Sequence, residues 1–239
     1  MLTVATYFWQ PDSGSKFAAP YTPDDVRRLQ RAVAKNLTLP HRFAVITDRP
    51  QLFADDAAIT AIPIDWTTHV PRTCYVRLMT FHPDGAAIFG ERILQLDLDT
   101  MIVGNLDAIA SREEDLILWR NSCWGPAFPS RAFYNTSVLS HRCGTEPYIW
   151  RQCARMTEAA CRALKDDQWY LSAVVGKEAP YFDGARDGVY RIAREDTPGS
   201  GVWGALPKNA RIVTFPGSEG KADNPRVRAG NPWIREFAA

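Results

Sequence analysis

No stretch of this chain approaches the roughly 20 consecutive apolar residues that a membrane-spanning helix needs, so nothing in it reads as a bilayer span. Cysteine is sparse and badly placed for metal binding. The five residues Cys74, Cys123, Cys143, Cys153 and Cys161 are odd in number and show no CxxC spacing, which points to reduced thiols in a cytoplasm. Histidine is scarcer still, and none of His41, His69, His82 and His141 falls in the C-terminal third. A surplus of either charge is also missing. The net charge of +1 gives no global reason to expect nucleic acid or an acidic membrane as partner. The N-terminus, Met1 to Trp9, lacks the basic segment of a signal peptide and reads as a strand. A glycine-rich phosphate loop is absent too: Gln10–Lys16 contains only Gly14, which argues against a nucleotidyltransferase. With no internal repeat or low-complexity linker, the 239 residues are expected to form one domain (1–239), loop-rich from about residue 197.

What is present alternates between strand and helix patterns, the signature of a layered α/β fold. Strands are expected at Leu2–Trp9, Phe43–Thr47, Ala58–Ile64, Ile93–Leu96, Leu116–Trp119 and Phe133–Leu139. Gln10–Pro20 carries proline, glycine and serine and reads as a loop. Thr22 caps a helix with Pro23 at its first position and Asp24 and Asp25 at the positive end of its dipole. Val26, Leu29, Val33 and Leu37 form its apolar stripe, and Arg27, Arg28, Arg31 and Lys35 are expected to face water. Further helices are predicted over Arg72–Phe81 and Pro147–Leu164, and a short one opens at Asp166–Asp167 and stops at Gly176.

The chemistry concentrates in Arg92-Ile-Leu-Gln-Leu-Asp97-Leu98-Asp99-Thr-Met-Ile-Val-Gly104-Asn-Leu106. An apolar run ends in two carboxylates one residue apart. The strand delivers both at its C-terminal tip, where alternation puts Asp97 and Asp99 on one face and points Leu98 into the core. Two hard oxygen donors side by side suit one divalent cation bridged to a diphosphate. Their mutual repulsion calls for a cation or basic group nearby, and Arg77 and Lys221 are candidates.

The block Tyr75-Val-Arg77-Leu followed by the Asp97-Leu-Asp99 run resembles the central block of family 8 glycosyltransferases. Three later segments fit in order: Tyr134-Asn135-Thr136-Ser137-Val138-Leu139, Asp166-Asp167-Gln168-Trp169, and Val213-Thr214-Phe215-Pro216-Gly217 with Lys221. The opening Tyr-Phe-Trp and the Leu-Pro-His-Arg-Phe-Ala-Val-Ile-Thr-Asp run are similar to a set of bacterial glycosyltransferase-like proteins. The resemblance implies the GT-A fold, a mixed, mainly parallel sheet flanked by helices. It also implies transfer of a hexose from a UDP-sugar to a saccharide or glycolipid acceptor, with retention. It implies Mn²⁺ or Mg²⁺ on Asp97 and Asp99, with the neighbouring Leu98 beside the nucleotide. Arg77 and Lys221 would contact the diphosphate, Asn135 and Thr136 the donor sugar, and Gln168 the face of the anomeric carbon. Asp167 has two readings, a group that binds sugar and orients the site, or a helix N-cap. Thr6, Tyr7 and Tyr21 occupy the region of the nucleoside contacts, although Tyr7 stands where many members have Asp. Asp48, at the second strand tip, is a further candidate or a turn residue. The implied location is the cytoplasm, with peripheral attachment at the inner membrane as a second placement.

One departure is specific. The family's third metal ligand is a histidine, and the matching position here is Thr214. A hydroxyl is a poor substitute for imidazole. The cation would then rest on Asp97, Asp99, diphosphate and water, or recruit Asp223; His141 is a ligand by proximity or a structural histidine. This departure keeps open a second reading, a catalytically silent nucleotide-sugar or carbohydrate-binding protein on the same fold.

Overall fold

Residues rich in β-branched and aromatic side chains form the centre of the computed structural model, which describes residues 1–10, 21–64, 73–121, 132–193, 201–215 and 221–237. Most of the loop after Gln10, Arg72, His69, Cys123, and Pro216 with Gly217 lie outside the described residues. The strands are β1 (Leu2–Phe8), β2 (His41–Thr47), β3 (Thr60–Pro63), β4 (Arg92–Leu96), β5 (Thr100–Ile102), β6 (Leu116–Arg120), β7 (Tyr134–Arg142), β8 (Tyr181–Phe182), β9 (Val189–Arg191) and β10 (Ile212–Thr214). The helices are α1 (Pro23–Asn36), α2 (Gly85–Phe89), α3 (Asp107–Ala110), α4 (Pro147–Cys153), α5 (Glu158–Ala163), α6 (Asp167–Val175), α7 (Gly184–Asp187), α8 (Pro225–Gly230) and α9 (Ile234–Phe237).

Seven strands make one sheet in the order β3-β2-β1-β4-β7-β6-β8, with β7 alone running against its neighbours. The sheet is therefore mixed and mainly parallel. A smaller sheet, β5-β10-β9, stands beside it. Alternation along β1 divides the core. Val4 and Phe8 pack with Val26, Leu29 and Val33 of α1, while Ala5 and Tyr7 pack on the opposite face with Val76 and Phe89. Helix α1 begins as its sequence specifies: the Thr22 N–H donates to Asp25 at 2.8 Å and Pro23 occupies the first turn. The small sheet buries Met101, Val213 and Phe215 against Val227 and Trp233. Among the described residues no helix is long and apolar enough to cross a membrane. The four described cysteines, Cys74, Cys143, Cys153 and Cys161, are buried.

Three expectations change. The segment Cys74–Phe81 is a 3₁₀ helix, an unusually long one, closed by i to i+3 bonds such as Val76 N–H to the Thr73 carbonyl. The stretch Pro147–Leu164 is two helices, because Thr157 starts a new one by accepting from the Ala160 N–H at 3.2 Å. The C-terminal section, expected to be loop-rich, carries the short elements β10, α8 and α9. Finally, β4 ends at Leu96, so Asp97 and Asp99 lie in a turn rather than on one strand face. The Thr100 N–H closes that turn on the Asp97 carbonyl at 3.1 Å, because the chain must leave the large sheet to begin β5 in the small one.

Candidate active site

The Asp97–Asp99 turn lies at the C-terminal end of β4, beside β1. Open α/β sheets gather ligands at such strand ends. The turn is pinned from below. The Leu98 side chain is buried in the core, and its carbonyl accepts from Arg28 Nη2 at 3.0 Å. On the other flank the Asp97 N–H donates to the Ser137 carbonyl at 3.0 Å. There β7 breaks register: Leu139 faces Leu118 while Asn135 faces Trp119, so Thr136–Val138 bulge out opposite a single step of β6. Such a bulge re-aims side chains, and here it brings Asn135 and Thr136 beside the turn.

Arg77 joins three elements. Its Nε and Nη2 donate to the two oxygens of Asp167 at 2.9 and 2.8 Å, its Nη1 to Asp97 at 2.5 Å, and its Nη2 also to the Thr136 hydroxyl at 2.8 Å. Asp167 is fully buried and Arg77 nearly so. Burial by itself favours the neutral guanidine; the charges of Asp167 and Asp97 outweigh it and hold Arg77 firmly protonated. The cap of α6 is Asp166, which accepts from the Trp169 N–H at 3.0 Å, so Asp167 is not the N-cap residue. Burial, then the charge of Asp167, raises the Asp166 pKa.

Asp99 faces the other cation. Lys221 Nζ donates to Asp99 Oδ2 and also to the Tyr21 hydroxyl, the latter at 2.7 Å. Burial and the neighbouring charge of Asp97 push the Asp99 carboxyl above its ordinary value, with Lys221 opposing them. Burial, Asp99 and Asp97 likewise raise the Tyr21 phenol. Asp99, Lys221, Tyr21, Arg28, Asp223 and Arg228 border a cavity of about 290 Å³ between the start of α1 and α8.

The expected site residues therefore divide. Asp97, Asp99, Arg77, Lys221, Tyr21, Asn135, Thr136 and Asp167 meet in one hydrogen-bonded neighbourhood around the turn. Asn135 uses its carbonyl oxygen on the Ser137 N–H at 2.7 Å, and its amide nitrogen has no protein partner among the described residues. Gln168 is half-buried in the first turn of α6, and no protein group among the described residues engages its side-chain amide. Thr136 and Asp167, expected to meet the sugar, are fully buried and both accept from Arg77. Tyr7 and Thr6 are not placed to contact a nucleoside. The Tyr7 ring is buried on the face opposite α1, and its hydroxyl donates to the Arg77 carbonyl at 2.8 Å; the 3₁₀ helix has covered it. Thr6 is fully buried, and its hydroxyl has no partner among the described residues. Asp48 accepts from the Gln10 N–H at 3.1 Å, the turn role. His141 lies toward the opposite end of β7, stacked on Phe81 at 4.2 Å, and burial lowers its pKa to about 4.

No protein-family model matches the chain, and no curated protein does. Solved structures do. Galactosyltransferase LgtC, crystallised with donor and acceptor sugar analogues, superposes with a TM-score of 0.58 at 13% identity, over 99% of this chain and 94% of LgtC. Glycosyltransferase GlyE of Streptococcus pneumoniae TIGR4, in its apo form, gives 0.58 at 12% identity over 93% of this chain, and a second GlyE structure gives 0.57 at 14% identity. The chain has the GT-A glycosyltransferase fold. It spans 56% of the GlyE chain but nearly all of LgtC. At such identities the likeness establishes architecture. What a GT-A chain can do here must come from its own residues.

Those residues suit a divalent cation that arrives with a diphosphate. Among the described residues no three His, Cys, Asp or Glu side chains gather into a metal-binding group. Mg²⁺, however, commonly uses one or two carboxylates together with phosphates and waters, and the same hard oxygens suit Mn²⁺. Asp97 and Asp167 pair with Arg77, and Asp99 pairs with Lys221. Thr214 is buried on β10 opposite Thr100, and its hydroxyl has no partner among the described residues. Asp223 borders the same cavity as Asp99. Sequence reasoning missed Arg28, assigned to solvent but bonded to the turn, and Arg228 on the cavity wall. The available signal for Arg28 was its place in the first turns of α1, near the strand ends.

Proposed function

We propose that this GT-A chain is a single-domain hexosyltransferase that moves a sugar from a UDP-linked donor to a saccharide or glycolipid acceptor, with retention and with Mn²⁺ or Mg²⁺. The observation that carries the reading is the Asp97–Asp99 turn at the carboxyl end of β4, flanked by Arg77 on one side and by Lys221 and the Tyr21-lined cavity on the other. Asp97 and Asp99 would hold the cation, which would neutralise the charge that develops on a departing diphosphate. Lys221, beside Asp99, adds a positive charge to the same departing group. Tyr21 presents an aromatic ring at the cavity, suited to a nucleobase. Arg77 fixes Asp97 in place, and Asp167 and Thr136 fix Arg77. Asn135 offers a free amide to a sugar hydroxyl. Gln168 offers its amide at the reacting carbon.

Thermal stabilisation by UDP and UDP-sugars, with Mn²⁺ and with EDTA, tests the reading. UDP is expected to stabilise far more with Mn²⁺, and Asp99→Asn to abolish the difference while leaving the ligand-free melting temperature within a few degrees. Equal stabilisation with EDTA removes the metal from the proposal, and no response to any UDP-sugar removes the donor. The second reading, a binding protein on the same fold, is favoured by the buried Thr214 in the position of a metal ligand. Hydrolysis of the donor by the purified chain separates the two.

A further inference from the structure

Lys221 is bonded to Asp99, one of the two carboxylates that would hold a bridging cation. Its ammonium donates to Asp99 Oδ2, is steadied by the Tyr21 hydroxyl at 2.7 Å, and lies 5.3 Å from the centre of the Tyr21 ring. Asp97 is held in turn by Arg77 at 2.5 Å. Each carboxylate of the pair is therefore already partnered by a positive group in the ligand-free chain. A free divalent ion approaching Asp99 meets an ammonium within bonding distance of its own ligand atom, and a guanidinium on the neighbouring carboxylate. At separations of a few ångströms near a protein surface, such repulsion is substantial. A cation carrying a diphosphate meets a different situation: the phosphate oxygens give Lys221 a new acceptor, so the lysine can leave Asp99 without losing its ion pair.

We infer that Lys221 acts as a resident cation on Asp99 that excludes free divalent ions and yields to a cation–diphosphate complex. Metal binding is thereby conditional on the nucleotide. The inference deepens the proposed function and rests on it for the identity of the diphosphate. The competition between ammonium and metal for Asp99 stands on this chain's geometry alone. Lys221 then has two opposed effects, weakening the cation by itself and strengthening the ternary complex. A residue that only braced the loop would not separate them.

The test is titration of Mn²⁺, followed by calorimetry and by loss of the free-ion paramagnetic resonance signal, into the full chain and its Lys221→Met and Lys221→Arg variants. Each is measured without nucleotide and with saturating UDP. Without nucleotide, Lys221→Met is expected to bind Mn²⁺ about tenfold more tightly than the parent, an effect of roughly 1.4 kcal/mol. Lys221→Arg keeps the charge and is expected to show no such gain. With UDP the advantage of Lys221→Met is expected to vanish or reverse. Equal Mn²⁺ affinity of parent and Lys221→Met without nucleotide, including undetectable binding by both, overturns the inference. So does an equal gain in Lys221→Arg, because a general loosening of the loop would then be the cause. If Lys221→Met gains affinity but UDP leaves Mn²⁺ binding unchanged in every form, the competition stands and the UDP-sugar reading fails. If UDP and Mn²⁺ cooperate in the parent but Lys221→Met shows no gain, the reverse holds.

Discussion

Asp167→Asn probes the most connected contact in the site. Asp167 is fully buried, and both of its oxygens accept from Arg77, at 2.9 and 2.8 Å. Removing one partner of a buried ion pair leaves the other charge uncompensated and typically destabilises by about 3–5 kcal/mol. Asparagine keeps one carbonyl oxygen for one of the two bonds, and Arg77 keeps Asp97. The expected loss is therefore at the low end, about 3 kcal/mol. In a chain of this size each kcal/mol moves Tm by roughly 2–4 °C, so Tm should fall by about 6–12 °C. Urea denaturation gives the free energy and calorimetry gives Tm. A double-mutant cycle with Arg77→Met adds the decisive comparison. Removing both charges together should be less damaging than the two single losses predict, with a coupling of about 1–3 kcal/mol. A loss below about 1 kcal/mol, with additive single effects, would refute the claim that Asp167 holds Arg77. The pair would then be no more important than a surface salt bridge. Because Arg77 also holds Asp97, the folded fraction of Asp167→Asn should bind UDP with Mn²⁺ less tightly than the parent.

Gln168→Ala should leave stability nearly unchanged, since no described protein group engages its amide, yet lower turnover by about a hundredfold, as loss of a group acting on the transition state does. Steady-state kinetics would count against this role if donor affinity fell tenfold at unchanged turnover. His141 sets a pH dependence. Its pKa falls from 6.5 to about 4 because burial excludes the charged ring, so the folded state binds the proton less readily than the unfolded chain. The neutral-histidine contribution is complete above pH 6.5 and is lost as pH falls toward 4, up to about 3 kcal/mol in all. Urea midpoints between pH 7 and 4 should show that slope in the parent, and a smaller one in His141→Gln. Thr214→His should destabilise by about 1–3 kcal/mol through overpacking, without tightening Mn²⁺ binding. A gain in Mn²⁺ affinity at unchanged stability would show that position 214 faces the metal after all.

Local patterns made the scaffold legible. The cap at Thr22, the stop at Gly176 and the apolar run into Asp97 appear where their sequence signals put them, because each depends on neighbours a few residues away. The partners of the carboxylates were not legible in the same way. Arg77 lies 20 residues from Asp97 and 90 from Asp167, and Lys221 lies 122 residues beyond Asp99. No periodicity spans such distances; only the resemblance to a known block put those residues in one list. Even then the roles were blurred. Asp167 and Thr136 read as polar side chains free to meet a sugar, and the fold uses both on one guanidinium. Tyr7 reads as an aromatic ring at a strand end, and whether such a ring is open or covered depends on the distant segment Cys74–Phe81 that packs over it.

Thr214 shows how a missing motif residue and a present structural one can be the same position. Read along the sequence, it matches the position of a histidine in the family that the chain resembles. In the fold it is the last residue of β10, paired with Thr100, the residue that immediately follows Asp99. That pairing attaches the Asp97–Asp99 turn to the small sheet, while the Ser137 contact attaches it to the large one. The turn is thus held from both sheets by backbone bonds, and its carboxylates are held by Arg77 and Lys221. A rigidly placed pair needs less from a third protein ligand, since phosphate oxygens and water can complete a Mg²⁺ or Mn²⁺ shell. Under the proposed function, threonine at position 214 therefore fits weak metal binding without a nucleotide rather than an inert site. Lys221 on Asp99 points the same way.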